Sequence, residues 1–367
     1  MRDPRIESLA SILVGYSTKV KRGELCVIQG TTAAEPLVQA VYEEVLRAGG
    51  LPILQLTPNG AASAFFALAD DEQLDWVPPT AEWTTENCDV RIAIMAEVNT
   101  RELSSADPKK QARAQKARKG LMETSMRRAA SGEYRWALTL FPTHAHAAEA
   151  SLSLREYEDF FYSACLATDD EPVTAWERQS SEVRRLSAWM EGKEEVHVRA
   201  PGTDIKLNVA GRTWIPCVGE HNMPDGEFFT APVEDSVEGE IAFSFPATYG
   251  GREVSGVKLR FEGGKVVDAV ADHGEAFLHE MLDTDPGARR LGELGIGTNY
   301  GIATGTKEIL LDEKIGGTLH MAVGMSYPES GGKNDSAVHW DMVCDLREGG
   351  SITVDGTELQ RDGRFSI

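Results

Sequence analysis

The sequence lacks several things whose absence narrows what this 367-residue chain can be. No apolar run reaches the roughly 18 residues that a spanning helix needs. The N-terminal stretch MRDPRIESLASILVG carries an acid and has no small-residue cleavage site after its short apolar run, so a cytoplasmic setting is the expectation. The five cysteines are scattered at Cys26, Cys88, Cys165, Cys217 and Cys344 with no CxxC spacing. That pattern indicates neither a disulfide framework nor a thiolate zinc site.

Positive charge is also scarce: 37 Lys and Arg face 58 Asp and Glu, for a net charge of -21. Binding to nucleic acid rests on Lys and Arg neutralising phosphates, and anionic lipid surfaces make the same demand, so neither is an expected partner. The deficit lies mostly beyond residue 200, where 28 acids face 14 bases, against 30 and 23 before it. Repeats and low-complexity tracts are missing too, and 41% hydrophobic with 26% charged residues is the composition of a folded globular protein. At this length two domains are expected.

The first half alternates apolar runs with helical periods. ELCVIQG (24–30), PILQLT (52–57), VRIAIMAE (90–97) and YRWALTLFP (134–142) read as buried strands, and AAEPLVQAVYEEVLRAGG (33–50) as a helix ending at glycine. Such alternation implies an α/β domain built on a doubly wound parallel sheet. Between the last two strands, residues 108–130 read as one helix with eight bases and one acid, whose plainest role is a solvated face. Further helical stretches cover 153–166 and 173–191.

From Val196 the texture changes to short β segments. VKLRFEGGKVVDAVA (257–271) is a hairpin with Gly-Gly at its turn, and TVDGTEL (353–359) another with Asp-Gly. The expectation is an α/β domain over 1–192 and an α+β, mainly antiparallel domain over 193–367 that carries a metal site.

Near-miss motifs fail on single residues. HEMLD has Asp283 where a zinc-protease helix needs a second histidine, and GMSYP ends in Pro328 where a nucleophile elbow needs glycine. GELGIGTNYG does not stand between a strand and a helix, and ESGGKNDS lacks the first glycine of a phosphate loop. His144 and His146 have no carboxylate cluster near them in sequence.

One constellation survives. HWDMVCDL (339–346) places His339 and Asp341 two apart in an apolar run, and strand positions i and i+2 face the same way. GTLHMAVG puts His320 where an aliphatic residue would continue the pattern. Glu293 lies among glycines in GELGIGTN, Glu313 in LDEKIGG, and Glu227 beside an aromatic pair in PDGEFFTAP. Charges in such segments need a partner charge or a metal if buried. Four carboxylates, Glu227, Glu293, Glu313 and Asp341, balance two divalent cations, and with His320 and His339 they form an oxygen and nitrogen donor pool suited to zinc, cobalt or manganese.

PDGEFFTAP, GELGIGTN, LDEKIGGTLHMAVGMSYP and HWDMVCDL, in this order, resemble the motifs of the M29 aminopeptidases, the aminopeptidase T family. The likeness extends to RGELCVIQG and AVYEEVLRAGG near the N-terminus and so spans nearly the whole chain. It implies that Glu227, Glu293, His320, His339 and Asp341 are metal ligands, with Glu313 the remaining candidate, and that Tyr327 lies at the catalytic centre. Two spacings depart from the family pattern. That from Glu313 to His320 is longer, which bears on Glu313, and that from Tyr327 to His339 is shorter, which bears on the substrate pocket.

The implied activity is release of N-terminal residues from short peptides, by a homodimer that uses two divalent ions. Glu227 or Glu313 would carry a proton to the leaving amine and Tyr327 would hold the oxyanion. The alternative is a mononuclear iron dioxygenase that opens dihydroxypyridine rings, since those enzymes resemble the same fold family; they carry histidine at the position of Glu293. A non-catalytic binding protein would be expected to have lost several of the ligand types that are all present here.

Overall fold

In a computed structural model that describes residues 3–367, the alternating first half forms a five-stranded parallel sheet. Its order is Leu51–Thr57, Leu25–Thr31, Val90–Met95, Arg135–Leu140 and Asn222–Met223. Each neighbouring pair is parallel. The first crossover helix, Glu35–Arg47, buries Leu37, Val38, Ala40, Val41 and Val45, the apolar stripe that its helical spacing predicts.

The basic stretch differs from the single helix expected of it. It forms two helices, Pro108–Ala117 and Lys119–Ala130, separated at Arg118. Only Ala114 is buried in the first and nothing in the second, so the charge is carried on solvated faces. Each packs on a different neighbour, the first against the helix Asp71–Asp75 and the second against Pro79–Asn87, so no common surface holds the two in line.

The chain divides into two compact units, Met1–Trp176 with Gly219–Met223, and Glu177–Val218 with Pro224–Ile367. This division falls inside the helix Pro172–Met190 rather than at residue 192, because Val183, Leu186 and Met190 join the core of the second unit. The short return of Asn222–Met223 adds the fifth parallel strand to the first unit.

The second unit holds two large antiparallel sheets beside the two-stranded pair Ala247–Tyr249 with Arg252–Val254. One has eight strands and includes both expected hairpins, Lys258–Glu262 with Lys265–Val270 and Ser351–Val354 with Thr357–Arg361. The other has five, in the order His339–Asp345, Thr318–Gly324, Leu291–Gly297, Glu227–Thr230 and Ile215–Cys217. Both sheets feed one hydrophobic core, which takes Val198, Ile205, Leu259 and Phe261 from the first and Phe228, Leu294, Ile296, Leu319, Met321, Trp340 and Met342 from the second.

Those core positions decide the rest of the smaller sheet. Successive strand residues point to opposite faces. With Phe228, Leu294, Leu319, Met321 and Trp340 committed to the core, Glu227, Glu293, His320, His339 and Asp341 all fall on the other face. A bulge between Leu291 and Glu293 supplies the one extra residue, Gly292, that puts Glu293 on that face while Leu291 stays in the core.

Candidate metal centre

Four adjacent strands present the expected residues side by side. Gly297 pairs with Glu227, Gly295 with His320, Ala322 with both Glu293 and Asp341, and Gly324 with His339. Glu313 arrives from outside the sheet, just after the short helix Ile309–Asp312.

Gly295 is required by close approach rather than by its backbone angle. A Cβ there would lie 2.0 Å from His320 Cε1 and 2.2 Å from its Nε2, closer than any real contact. Gly295→Ala is expected to displace the ring, lower stability by about 1–3 kcal/mol and reduce divalent-ion uptake. A thermal melt together with elemental analysis checks this.

Both imidazoles are oriented in the same way. His320 Nδ1 lies 3.0 Å from the Glu313 carbonyl oxygen and His339 Nδ1 lies 2.8 Å from that of Met325. A carbonyl can only accept, so each Nδ1 carries the proton and donates. This leaves each Nε2 to face the carboxylates, the arrangement by which backbone carbonyls fix metal-binding histidines.

His320 Nε2 is 3.1 Å from Glu293 Oε1 and 3.4 Å from Glu227 Oε2. His339 Nε2 is 3.5 Å from both Glu293 Oε2 and Asp341 Oδ2. Three oxygens in this buried cluster, Glu227 Oε2, Glu293 Oε2 and Asp341 Oδ1, have no hydrogen-bond partner. Carboxylate oxygens left this way are costly unless a cation meets them.

The electrostatics agree. Burial alone would lower the His320 pKa, but Glu227 and Glu293 outweigh it and push it up to about 10. Burial likewise opposes the charge on His339, and Asp341 and Glu293 raise it. Glu227 and Asp341 are pushed up, chiefly by burial. The cluster therefore attracts positive charge, and each proton taken up, on an imidazole or a carboxylate, relieves it.

The donor atoms sort into groups whose members lie within 4.8 Å of one another. Glu293, His339 and Asp341 form one, and Glu313, His320 and Asp341 another, so that Asp341 belongs to both. A third group joins Cys217, Asp225 and Glu227.

Tyr327 borders the cluster. Its ring meets the His339 ring edge-on at 4.9 Å and that of Phe229 at 5.6 Å, and about a third of the residue remains exposed. Burial and the nearby Glu293 and Asp341 raise its pKa, so the hydroxyl keeps its proton and can donate it in a hydrogen bond.

Two charged residues escaped the sequence reading. Lys314 is fully buried, with its ammonium in contact with the Glu313 carboxylate and 3.5 Å from Glu227 Oε1. Asp225 is also buried and acts electrostatically on the same ammonium. The signal for both was available, since each is a charge in an apolar, glycine-containing segment beside a named candidate. His146 likewise gains a partner that sequence distance concealed, Glu97 at 2.8 Å.

A family model described as thermophilic metalloprotease (M29) matches residues 2–365. The chain is 28% identical to aminopeptidase T of Thermus thermophilus over 99% of its own length and 98% of that protein. It is 25% identical to aminopeptidase 2 of Geobacillus stearothermophilus, over 99% and 95% respectively. Its fold is similar to the structure of wild-type AmpT from Thermus thermophilus, with a TM-score of 0.84 and 27% identity over 99% of each chain. A 2,5-dihydroxypyridine dioxygenase from Pseudomonas putida shares the fold at a TM-score of 0.60 and 14% identity, over 99% of this chain and 97% of that one.

Proposed function

This chain belongs to the thermophilic metalloprotease family M29, and from that premise we propose that it is a metal-dependent aminopeptidase that removes N-terminal residues from short peptides with two divalent ions. The observation that carries this reading is the pair of donor groups sharing Asp341, which suits Asp341 to bridge two cations. Glu227, Glu293, Glu313, His320 and His339 are the other proposed ligands. The oxygen and nitrogen donors of the two groups suit zinc, cobalt or manganese.

When bound, such ions lower the pKa of a water molecule and polarise the scissile carbonyl. The protein supplies the rest. Asp341, Glu293 and the two Nδ1-anchored imidazoles hold their positions through the sheet register rather than through flexible loops. Glu227, with one oxygen free of hydrogen bonds, takes the proton from the water and passes it to the leaving amine. The Tyr327 hydroxyl donates to the oxyanion. The iron-oxygenase alternative needs two histidines and one carboxylate, and the four carboxylates gathered here favour hydrolysis.

We read the active form as a homodimer. The edge strand Leu51–Thr57 leaves Leu51, Leu54 and Leu56 exposed, an apolar edge that suits a second copy. The free thiols Cys26, Cys88, Cys165, Cys217 and Cys344 are in keeping with a reducing cytoplasm.

The test is leucine p-nitroanilide hydrolysis by a preparation whose sedimentation also reports its mass. Chelation is expected to abolish the activity, and zinc, cobalt or manganese to restore it, with about two ions per chain by elemental analysis. Ring cleavage with one iron per chain, or no bound metal at all, would overturn the reading.

A further inference from the structure

We propose that Lys314 is a resident third cation of this cluster, a positioning residue whose ammonium holds Glu227 and Glu313 in place and weakens the binding of divalent ions beside them. The inference rests on reading the cluster as a metal centre and goes beyond it, to a residue that belongs to none of the donor groups.

Lysine side chains are almost never fully buried unless a counter-charge meets them. Lys314 is 0% exposed, and the charges that meet it are two of the proposed ligands, Glu313 in contact and Glu227 at 3.5 Å. The local chain fixes it there. The Lys314 amide donates to the Leu311 carbonyl, and its own carbonyl accepts from the Asn299 amide. The following Gly316 and Gly317 then turn the chain into the His320 strand.

The third donor group, Cys217, Asp225 and Glu227, is thereby accounted for. Two of its members, Asp225 and Glu227, act on the Lys314 ammonium, so the cation that this corner serves is supplied by the protein. The charge balance agrees. Asp225 adds a fifth carboxylate to the four proposed ligands, Lys314 offsets one of the five, and the remaining four balance two divalent ions. A metal in the third group as well would have to sit against a fixed positive charge.

Two consequences follow from Coulomb attraction and repulsion in a buried site. Before ions bind, the ammonium keeps carboxylates together that would otherwise repel. Once ions bind, it repels them, so they exchange more readily than from a cluster of acids alone.

Metal-stripped full-length protein titrated with zinc tests this, comparing wild type with Lys314→Met, Lys314→Gln and Lys314→Arg. The zinc dissociation constant is expected to fall by about tenfold or more in the Met and Gln variants and to stay near wild type in the Arg variant. The metal-free Met and Gln variants should melt below wild type, and zinc should raise their melting temperature by more than it raises that of wild type.

Met and Gln variants that fold yet bind zinc no more tightly than wild type would overturn the proposal. So would Met and Gln variants that fail to fold even with zinc while the Arg variant folds, because Lys314 would then be a packing residue only. If wild type itself takes up no zinc, the metal-centre reading fails along with it. If wild type binds zinc and the neutral variants match it, only the role of Lys314 fails.

Discussion

Glu293→Gln is expected to lower leucine p-nitroanilide hydrolysis by about 10²–10⁴-fold while leaving the protein folded. Glu293 touches both halves of the cluster, with Oε1 3.1 Å from His320 Nε2 and Oε2 3.5 Å from His339 Nε2. Glutamine fills the same volume and can still hydrogen-bond to His320, so the sheet has no reason to open. What it removes is the negative charge between two imidazoles, at a position where one oxygen has no hydrogen bond to lose. Activity by initial rate and fold by circular dichroism separate the two effects. Full activity in a folded Glu293→Gln protein would show that the chemistry lies elsewhere.

The second large effect concerns ion number. Asp341→Asn should reduce the binding of both ions, because Asp341 belongs to both donor groups, whereas His339→Ala should weaken one and leave the other. The two substitutions lie two residues apart on one strand, so they test sharing rather than general disruption of the sheet. Asparagine keeps one carbonyl oxygen as a weak donor but cannot bridge two cations as a carboxylate does. Elemental analysis after gel filtration, with isothermal titration of zinc, gives the counts. Equal losses in the two variants would remove Asp341 from the bridging position.

Much of the site was legible before any fold was known, and for one reason. His339 and Asp341 stand two apart on a strand, and His320 interrupts an aliphatic run, so a period of two already places each on the face opposite its apolar neighbours. Glu293 was legible by type but not by position. Gly292 opens a bulge that shifts the register, and without it Leu291 and Glu293 would share a face.

The basic segment is the opposite case. Its composition favours helix throughout, yet it breaks at Arg118, because its two halves pack on different helices, Asp71–Asp75 and Pro79–Asn87, and no shared face keeps them in line. The boundary between units was displaced for the converse reason, since the second half of Pro172–Met190 has an apolar stripe that another core uses.

The sequence by itself therefore determined the parallel and antiparallel halves, the hairpins, and the two histidines and four carboxylates that could meet a cation. Those features follow from local periodicity, turn chemistry and the cost of burying charge. Only the tertiary structure decided that Asp341 is shared between two donor groups, that Glu313 enters from outside the sheet, and that Lys314 and Asp225 join the cluster. These depend on which strands pair and in what register. Long-range pairing brings Glu227, Glu293, Lys314 and Asp341 together across intervals of chain that no local pattern spans.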